Sequence, residues 1–494
     1  MKLSDLTKSY EISFNKDISD IEITSITSSS KEVVKGTLFV AIQGATTDGH
    51  LYINDAYKKG AVAIILEENK EGYGISIPLG VTGNTKEMYC KLLHSFYSNP
   101  SQNLSVIGIT GTNGKTTTSF LLKHILSAHA GVGLIGTIHA VINDETFNLN
   151  NTTPDLSIVN SLMMKMHQNN VAYCVMEVSS HALEQKRIVG TCFSARVFTN
   201  LTQDHLDYHA SMEAYYESKK KLFTEYSSGA VSVINIDDSF GERLYNEIKG
   251  QKISYGCSSN ADVFASDINA GLNSIQFTVN AFGKQNKVMV PLACFYNVYN
   301  ILAAIATSLS FDLELDEIVQ SLSSFNGVAG RMERVSVLGD IPVFVDYAHT
   351  PDAFLNVLKA IRAIHQGKLI TVFGCGGDRD TGKRPKMGAL ATQYSDHVII
   401  TNDNPRTEDP EQIINGICKG IEKEAFNLKC KIIYDRKKAI EEACAIAGND
   451  SLVLILGKGH EQYQIMGHEK KYFSDQDVVR GVMKGCNAIN SGSE

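Results

Sequence analysis

The segment GTNGKTT, residues 111–117, constrains the fold more than any other part of the chain. An apolar strand-like run, LSVIGIT, precedes it, and a helix-length segment, TSFLLKHILSAH, follows it. Glycines permit a tight turn whose backbone N–H groups point at phosphate oxygens, and the helix adds its positive end. Lys115 is placed to reach the terminal phosphates, and the Thr116 hydroxyl to bind Mg²⁺. The segment predicts a nucleotide site, although Ile109 stands where the strict pattern has its first glycine; the alternative is a glycine-rich turn with an exposed lysine.

Strand-like runs and helical segments alternate along nearly all 494 residues, which predicts an α/β protein with parallel sheets. We predict three domains: an N-terminal α/β domain (1–100), a central domain with a parallel sheet around the phosphate loop (101–331), and a C-terminal Rossmann-like domain (332–494). Five apolar runs predict the doubly wound sheet of the last domain: 342–346, 369–374, 397–401, 431–434 and 452–456.

Composition excludes several classes of protein. The net charge of −8 offers no general basic field for a nucleic acid. No apolar run approaches the roughly 18 residues of a membrane span, and the start of the chain, MKLSDLTKSYEI, has no apolar core typical of a secretory signal. The ten cysteines form no CxxC pair, which fits a reducing compartment. We therefore expect a cytoplasmic protein that binds neither nucleic acid nor membrane.

Three further segments carry candidate metal ligands. VAYCVMEV (171–178) predicts a strand that holds Glu177 near its carboxyl end, where an acid beside a phosphate loop can bind the metal. NLTQDHLDYH (200–209) places His205 among carboxylates, which an imidazole would need in order to ligate Mg²⁺. YYESKKKLF (215–223) contains Lys219, and composition alone predicts a solvated helix face for its three lysines.

Ten motifs occur in one order: GTNGKTT, NTTP, MEVSSHAL, NLTQDHLDYH, a helical lysine before LF, GRMER, VDYAHTPDA, GCGGDRD, DNPR and GKGHE. In this order they resemble the Mur ligases of peptidoglycan synthesis, and among these the type that adds the third amino acid of the stem peptide. The resemblance covers essentially the whole chain.

The resemblance implies a reaction in which ATP phosphorylates the free D-Glu carboxylate of UDP-MurNAc-L-Ala-D-Glu. The amine of the incoming amino acid then attacks the acyl phosphate, and phosphate leaves. A carboxylate and a γ-phosphate repel each other, and metal ions together with Lys115 can offset that repulsion.

The resemblance also implies roles for individual residues around the nucleotide. Lys115, Glu177, His205 and Lys219 are the implied catalytic residues. Thr116 and Glu177 are implied ligands of a first Mg²⁺, and His205 of a second. Lys219 aligns with a lysine that the family carries as a carbamate, because CO₂ addition turns a repelled ammonium into an anionic oxygen donor. The implied ATP contacts are Gly111, Thr112, Asn113, Gly114, Lys115, Thr116, Thr117, Asn300, Arg331 and Asp346; for the last three, ordinary polar capping is the alternative.

For the nucleotide-sugar, the family pattern points to Ser30, Asn151, Thr152, Thr153, Ser179, Gln185 and Arg187. These residue types suit diphosphate and carboxylate groups. Two departures from the family weaken single contacts. Ser29-Ser30-Lys31 stands in place of Asp-Ser-Arg, and Cys294 and Tyr296 replace the usual Gly and Phe.

The DNPR segment, Asp403, Asn404, Pro405 and Arg406, predicts which amino acid is added. In the family it marks enzymes that take meso-diaminopimelate, whose far carboxylate suits an arginine fork. Arg379 is expected to meet another carboxylate, and Gly457 and Glu461 to hold the ammonium. The simpler interpretation of DNPR, a turn capping the next helix, is compatible with this role.

Other functions remain open at this point: the same ligase with L-lysine, a ligase like folylpolyglutamate synthetase, or a nucleotide-binding regulator or ATPase that acts on a protein partner. We expect a monomer that uses ATP and Mg²⁺.

Overall fold

The computed structural model describes residues 1–44, 47–67, 73–205, 208–226, 229–338 and 341–490. Three large sheets follow one another along the chain, one within each predicted domain. The α/β class is confirmed, while the boundaries at 100 and 331 stay predictions.

The N-terminal sheet has the strand order β1-β5-β4-β3-β2, and β1 runs antiparallel to β5 while the other pairs are parallel. The strands are β1 (Ser13–Phe14), β2 (Ser25–Thr27), β3 (Thr37–Val40), β4 (Ala61–Leu66) and β5 (Leu79–Val81). The helices are α1 (Leu3–Thr7), α2 (Ile53–Lys58) and α3 (Thr85–Phe96), with single 3₁₀ turns at Gly49–Tyr52 and Pro100–Asn103.

The central sheet has eleven strands in the order β16-β15-β14-β13-β12-β11-β6-β10-β7-β8-β9. The strands are β6 (Ser105–Thr110), β7 (Val132–Ile135), β8 (Ala140–Ile142), β9 (Glu145–Phe147), β10 (Tyr173–Glu177), β11 (Ala195–Phe198), β12 (Val231–Asn235), β13 (Lys252–Gly256), β14 (Val263–Ala270), β15 (Ile275–Ala281) and β16 (Lys284–Val290). The helices are α4 (Lys115–Ser127), α5 (Leu156–Gln168), α6 (Ser180–Glu184), α7 (Met212–Thr224), α8 (Ser239–Glu247), α9 (Tyr296–Leu309) and α10 (Leu315–Leu322).

The prediction of a parallel central sheet holds for its middle and is wrong at both edges. The strands from β7 to β14 in the sheet order are parallel, whereas β15 and β16 at one edge and β8 and β9 at the other pair antiparallel. The β15–β16 connection is a tight turn in which Phe282 and Gly283 both have positive φ. Such turns favour hairpins, so the alternating polarity of this stretch forms a meander rather than another crossover unit.

The C-terminal sheet has the order β17-β18-β22-β19-β20-β21, with β17 antiparallel to β18 and the rest parallel. Its strands are β17 (Glu333–Leu338), β18 (Ile341–Asp346), β19 (Lys368–Phe373), β20 (His397–Ile400), β21 (Cys430–Ile432) and β22 (Ser451–Leu456), followed by a separate hairpin of β23 (Tyr463–Met466) and β24 (Glu469–Tyr472). The helices are α11 (Pro351–Ile364), α12 (Lys383–Tyr394), α13 (Pro410–Cys418), α14 (Lys423–Lys429), α15 (Arg436–Ile446) and α16 (Asp475–Asn490). All five predicted strands of this sheet are confirmed.

Continuous apolar runs form the middle strands because helices cover both faces of each sheet. In β6, Val106 and Ile107 are fully buried and belong to two different core clusters, one on each side of the sheet. Consecutive residues of a strand point to opposite faces, so a strand between two helical layers must be apolar throughout. The phosphate loop therefore starts from a strand that is buried on both faces.

Two glycines lie in close contact where the chain passes from the central to the C-terminal region. Gly330 has φ +64°, and a Cβ there would overlap the backbone of Gly459 and His460. Gly459 has φ +52°, and its Cβ would lie 2.6 Å from the Cβ of Tyr347. The loop that carries GKGHE is thus fixed against the start of the C-terminal region. In the described part of the chain, no helix is both long and apolar enough to cross a bilayer.

Candidate active site

The phosphate loop joins the end of β6 to the start of α4, as predicted. Its two glycines have positive φ, and a Cβ would overlap Thr199 Oγ1 at Gly111 and Asn300 Oδ1 at Gly114. Glycine is therefore required at both positions. The loop departs from the expected phosphate nest in one respect, because the N–H groups of Thr112 and Asn113 donate to Asn200, each at 2.9 Å. The N–H groups that α4 leaves unpaired in its first turn are the ones expected to meet phosphate.

Two lysines, Lys219 buried and Lys115 partly buried, lie against the carbonyls of this loop. Lys115 Nζ donates to Gly111 O at 2.8 Å and to Thr112 O at 2.9 Å, and Lys219 Nζ donates to the same Gly111 O at 2.9 Å. Burial lowers the pKa of Lys115. Burial and then the positive charge of Lys115 hold the pKa of Lys219 well below its usual value. Lys219 is 1% exposed, so the solvated helix face that composition predicts is wrong for this residue.

Glu177 ends β10, the strand next to β6, and is fully buried beside the loop. Its Oε2 accepts hydrogen bonds from Thr116 Oγ1 at 3.0 Å and Thr137 Oγ1 at 2.8 Å, while Oε1 accepts from Thr137 N at 3.0 Å. The two residues implied as ligands of the first Mg²⁺ are thus in direct contact. A hydroxyl and a carboxylate are hard oxygen donors, which Mg²⁺ prefers.

His205 and Lys219 both lie against the ring of Tyr215. The His205 ring packs edge-on against Tyr215, with centroids 6.2 Å apart, and Lys219 Nζ lies 4.4 Å from the centroid of that tyrosine. His205 Nε2 is 3.6 Å from Asp204 Oδ2. Residues 206 and 207 of this motif lie outside the described residues. Among the residues that the structure describes, no three His, Cys, Asp or Glu side chains are grouped as a metal site, so the role of His205 stays a prediction.

Of the three outlying residues expected at ATP, two reach the phosphate loop. Asn300 on α9 packs against Gly114, and Arg331 Nη2 donates to Thr116 Oγ1 at 3.3 Å. Asp346 instead accepts from backbone N–H groups, those of Met332 at 2.7 Å and Ala348 at 2.8 Å. Burial raises its pKa. Both Asp346 oxygens have backbone partners, so the polar-capping alternative describes this residue.

Besides Glu177, a second carboxylate lies near the phosphate loop and connects the C-terminal region to it. This residue, Asp352, is not among the predicted site residues. Asp352, in the first turn of α11, accepts from Thr202 Oγ1 at 2.9 Å and from Asn113 Nδ2 at 3.4 Å. Thr350 caps this helix, and Pro351 follows at its first position. The sequence Thr-Pro-Asp is typical of a helix start with an acid in its first turn. Nothing in it indicates that Asp352 contacts Asn113, which lies 239 residues away.

Five of the residues expected at the nucleotide-sugar form one group near Glu177: Thr152, Thr153, Ser179, Gln185 and Arg187. Thr153 Oγ1 donates to Glu177 O at 2.8 Å and accepts from Ser179 N at 3.0 Å. Arg187 donates to Thr153 O at 2.9 Å and to Gln185 Oε1 at 2.6 Å. Thr152 hydrogen-bonds Thr137 at 3.1 Å, and Asn151 is exposed in the preceding turn. Ser30 lies apart from them in the N-terminal region, where its carbonyl accepts from Lys59.

The DNPR segment follows β20 and meets the loop after β22. Asn404 Nδ2 donates to Glu461 Oε2 at 2.9 Å, and a Cβ at Gly457 would lie 2.8 Å from Asp403 Oδ2. Four predicted residues are therefore together at the carboxyl ends of β20 and β22, the two strands that flank β19, as the doubly wound sheet predicts. Asp409, three residues after the segment, accepts from Glu411 N and caps α13, so the helix expected after this proline-containing turn is N-capped.

The β23–β24 hairpin clamps Arg406. Arg406 has φ +54°, its N–H donates to Ile465 O at 3.1 Å, and its carbonyl accepts from Gly467 N at 2.7 Å. Its guanidinium donates to Gly377 O at 2.8 Å. Arg379 is exposed on the adjoining loop. The hairpin was not predicted, and it fixes the direction of the arginine expected to select the substrate.

Three family models match consecutive parts of the chain. "Mur ligase family, catalytic domain" matches residues 22–91, "Mur ligase middle domain" matches 109–308, and "Mur ligase, glutamate ligase domain" matches 330–459. The UDP-N-acetylmuramoyl-L-alanyl-D-glutamate–2,6-diaminopimelate ligase of Clostridioides difficile (strain 630) is 43% identical over 483 residues, which cover 97% of this chain and 99% of that protein. The chain belongs to the Mur ligase family.

Solved structures agree with this membership. A UDP-N-acetylmuramoyl-L-alanyl-D-glutamate–2,6-diaminopimelate ligase covers 99% of this Mur ligase and 99% of its own chain, at 30% identity and a TM-score of 0.69. Folylpolyglutamate synthase of Mycobacterium tuberculosis covers 74% of this chain and 91% of its own, at 17% identity and a TM-score of 0.61, which shows a shared fold alone. As a Mur ligase the protein is an ATP-dependent amino-acid ligase, as the ten motifs predict.

Proposed function

We propose that this Mur ligase joins meso-diaminopimelate to the D-Glu carboxylate of UDP-MurNAc-L-Ala-D-Glu and converts ATP to ADP and phosphate, in the cytoplasm and as a monomer. The observation that carries the proposal is the cluster of Asp403, Asn404, Arg406 and Glu461 after β20 and β22. We call this cluster the amino-acid pocket. The curated relative with this printed activity matches over nearly the whole length of both chains, which supports the same substrate pair.

The pocket has the chemistry to hold the far end of diaminopimelate. The backbone of Arg406 is held by the hairpin and its Nη1 by Gly377 O, which leaves the rest of its guanidinium to bind a carboxylate. Glu461, which is partly exposed, can accept an ammonium on the same side as Asn404. L-Lysine offers no second carboxylate to Arg406. A lysine-adding ligase is therefore the weaker alternative.

The phosphate loop must change its internal contacts when ATP binds. Lys115 bonds two loop carbonyls, and its ammonium has to turn from them to reach a phosphate. Thr116 and Glu177 are the residues that would hold Mg²⁺, because their oxygens already meet. When bound, the ion supplies positive charge to the phosphate oxygens. Arg331 reaches Thr116 from the C-terminal side and adds a second positive group there.

Lys219 has the properties needed for the proposed carbamate. Its amine is buried, and burial together with the charge of Lys115 holds its pKa well below the usual value, which favours the neutral amine. A neutral amine can attack CO₂: the N–C bond forms, one N–H proton leaves, and the product is an anionic oxygen donor. His205 lies beyond the same tyrosine ring and is proposed to ligate the second Mg²⁺.

The nucleotide-sugar is proposed to lie across the first two predicted domains. Thr152, Thr153, Ser179 and Arg187 would meet the peptide and diphosphate beside Glu177, and Ser30 the uridine end. The peptide carboxylate then faces the phosphate loop from one side and the amino-acid pocket from the other. The three predicted domains together bind the three substrates, and their closure would protect the acyl phosphate from water.

An amino-acid panel tests this proposal. Purified protein receives ATP, Mg²⁺ and UDP-MurNAc-L-Ala-D-Glu together with meso-diaminopimelate, L-lysine or L-ornithine. Tripeptide product is measured by mass and phosphate release in parallel. We expect product with diaminopimelate and phosphate release only when both substrates are present. Product with lysine alone would overturn the choice of amino acid, and folate-dependent release would favour the folylpolyglutamate alternative.

A further inference from the structure

A fully buried lysine stands behind the amino-acid pocket, and no step described above uses it. Lys458, in the loop after β22, has 0% of its surface exposed. Its Nζ donates to Glu461 Oε2 at 3.0 Å and to Asn404 Oδ1 at 3.2 Å, and lies 5.4 Å from the centre of the Tyr463 ring. Both hydrogen-bond partners are residues proposed to face the substrate.

These bonds fix the direction of both partners. Asn404 Oδ1 accepts from Lys458 Nζ and from Ile465 N at 3.0 Å, so Nδ2 must point the other way, towards Glu461 Oε2. Glu461 Oε2 then receives one donor from Asn404 and one from Lys458, which sets the plane of its carboxylate. A buried ion pair held by further hydrogen bonds acts as one unit.

Lys458 also sets the charge of the pocket. Arg436 lies behind the same loops, but its charge is matched by Asp475, at 2.7 Å and fully buried. Asp403 and Glu461 supply negative charge, and Arg406 and Lys458 positive charge. Lysine carries one more positive charge than diaminopimelate, because it lacks the second carboxylate. Each positive charge placed in the pocket therefore favours diaminopimelate over lysine.

We propose that Lys458 is a positioning and specificity residue. It holds Glu461 and Asn404 in the orientation that receives the ammonium of the substrate, and its charge disfavours lysine at the same pocket. This inference rests on the proposed function, since it concerns the choice between the two amino acids.

The test compares both amino acids on the same enzyme. In Lys458→Met, which keeps length and removes charge, we expect the KM for diaminopimelate to rise about 30-fold or more, as when one partner of a buried ion pair is removed. The ratio of kcat/KM for diaminopimelate to that for lysine should fall about tenfold or more. The KM for ATP should stay unchanged. Because the ratio is taken on one preparation, any loss of folded protein cancels.

Three further variants sharpen the result. Lys458→Gln, a second neutral variant, should lower the ratio in the same way, and Lys458→Arg should restore part of it. Lys437→Met is the matched control, because its side chain is 64% exposed on α15. An unchanged ratio in both neutral variants would overturn the proposal, even with a lower kcat. Failure of both to fold would also overturn it by assigning Lys458 to stability. Wild-type protein that makes no product with diaminopimelate would instead overturn the proposed function.

Discussion

The lysines of the phosphate loop and the lysine of the amino-acid pocket bond to different kinds of group. At the loop, Lys115 and Lys219 donate to the carbonyl of Gly111, a backbone group that is not expected to touch a substrate. In the pocket, Lys458 bonds to Glu461 and Asn404, the groups expected to touch the substrate. The loop must therefore exchange internal hydrogen bonds for bonds to ATP, whereas the pocket is already assembled.

This difference has a thermodynamic meaning. An ordinary internal hydrogen bond contributes about 1 kcal/mol net, so breaking the lysine contacts at the loop lowers the apparent affinity for the nucleotide by a modest amount. A pocket that has its binding geometry before the substrate arrives avoids such a loss, so that its geometry directly determines which substrate binds. Changes at the loop should therefore act on turnover, and changes at the pocket on the choice of amino acid.

The largest expected effect is at Lys219. Lys219→Ala removes the proposed carbamate, and with it several kcal/mol of charge stabilisation, so turnover should fall by about 10³-fold or more. Added short-chain carboxylates should restore part of the rate, measured by phosphate release. Lys220→Ala, next to it on α7 but pointing towards Glu217 and Glu247, is the control and should keep normal activity. Wild-type rates in Lys219→Ala without additive would contradict the carbamate.

Arg406 comes next. Arg406→Ala removes the fork for the far carboxylate, and charge-assisted hydrogen bonds contribute about 1.5–3 kcal/mol each, so kcat/KM for diaminopimelate should fall about 10²-fold or more. Arg406→Lys keeps the charge without the fork and should recover only part of the loss. Steady-state kinetics with varied diaminopimelate and with varied ATP separate the two sites. Equal kinetics in wild type and Arg406→Ala would discard the assignment.

A smaller effect is expected where the two regions touch. Asp352→Ala removes the acceptor of Thr202 and Asn113. Hydrogen bonds to a charged group contribute about 1.5–3 kcal/mol, so the nucleotide-free protein should shift towards arrangements with the C-terminal region farther from the loop. Small-angle scattering should record a larger radius of gyration. Lys359→Ala on the same helix should leave it unchanged, and an unchanged radius in Asp352→Ala would mean that other contacts hold the regions together.

The effect that is smallest at neutral pH concerns acid. Burial, and then the charge of Arg331, lower the pKa of His460 to about 3. In the unfolded chain this histidine binds a proton below about pH 6.5, while the folded protein does not. The contribution of neutral His460 to the free energy of unfolding should therefore be complete above about pH 6.5. It should fall by up to about 1.4 kcal/mol per pH unit between about pH 6.5 and 3. Denaturant unfolding at several pH values measures the slope. His460→Gln should reduce it; an equal slope in this variant would assign the acid sensitivity to other groups.

Local sequence was sufficient for the strands, the phosphate loop and Glu177. Apolar runs of five or six residues can only be buried strands here, and an acid at the end of a strand beside β6 must lie near the loop. Lys458 and Asp352 could not be found in this way, although both lie inside quoted motifs. Their roles come from partners 54 and 239 residues away, which no local pattern encodes. The antiparallel pairing of β15 and β16 depends on the turn at Phe282–Gly283, which makes a hairpin instead of a crossover.

Gly330 and Gly459 touch where the central and C-terminal regions join, and not even a methyl group fits between them. The loop that carries Lys458 and Glu461 is therefore pressed against the residue at which the C-terminal region begins. A larger side chain at either glycine is expected to displace this loop, and with it the carboxylate and the lysine proposed to choose the amino acid.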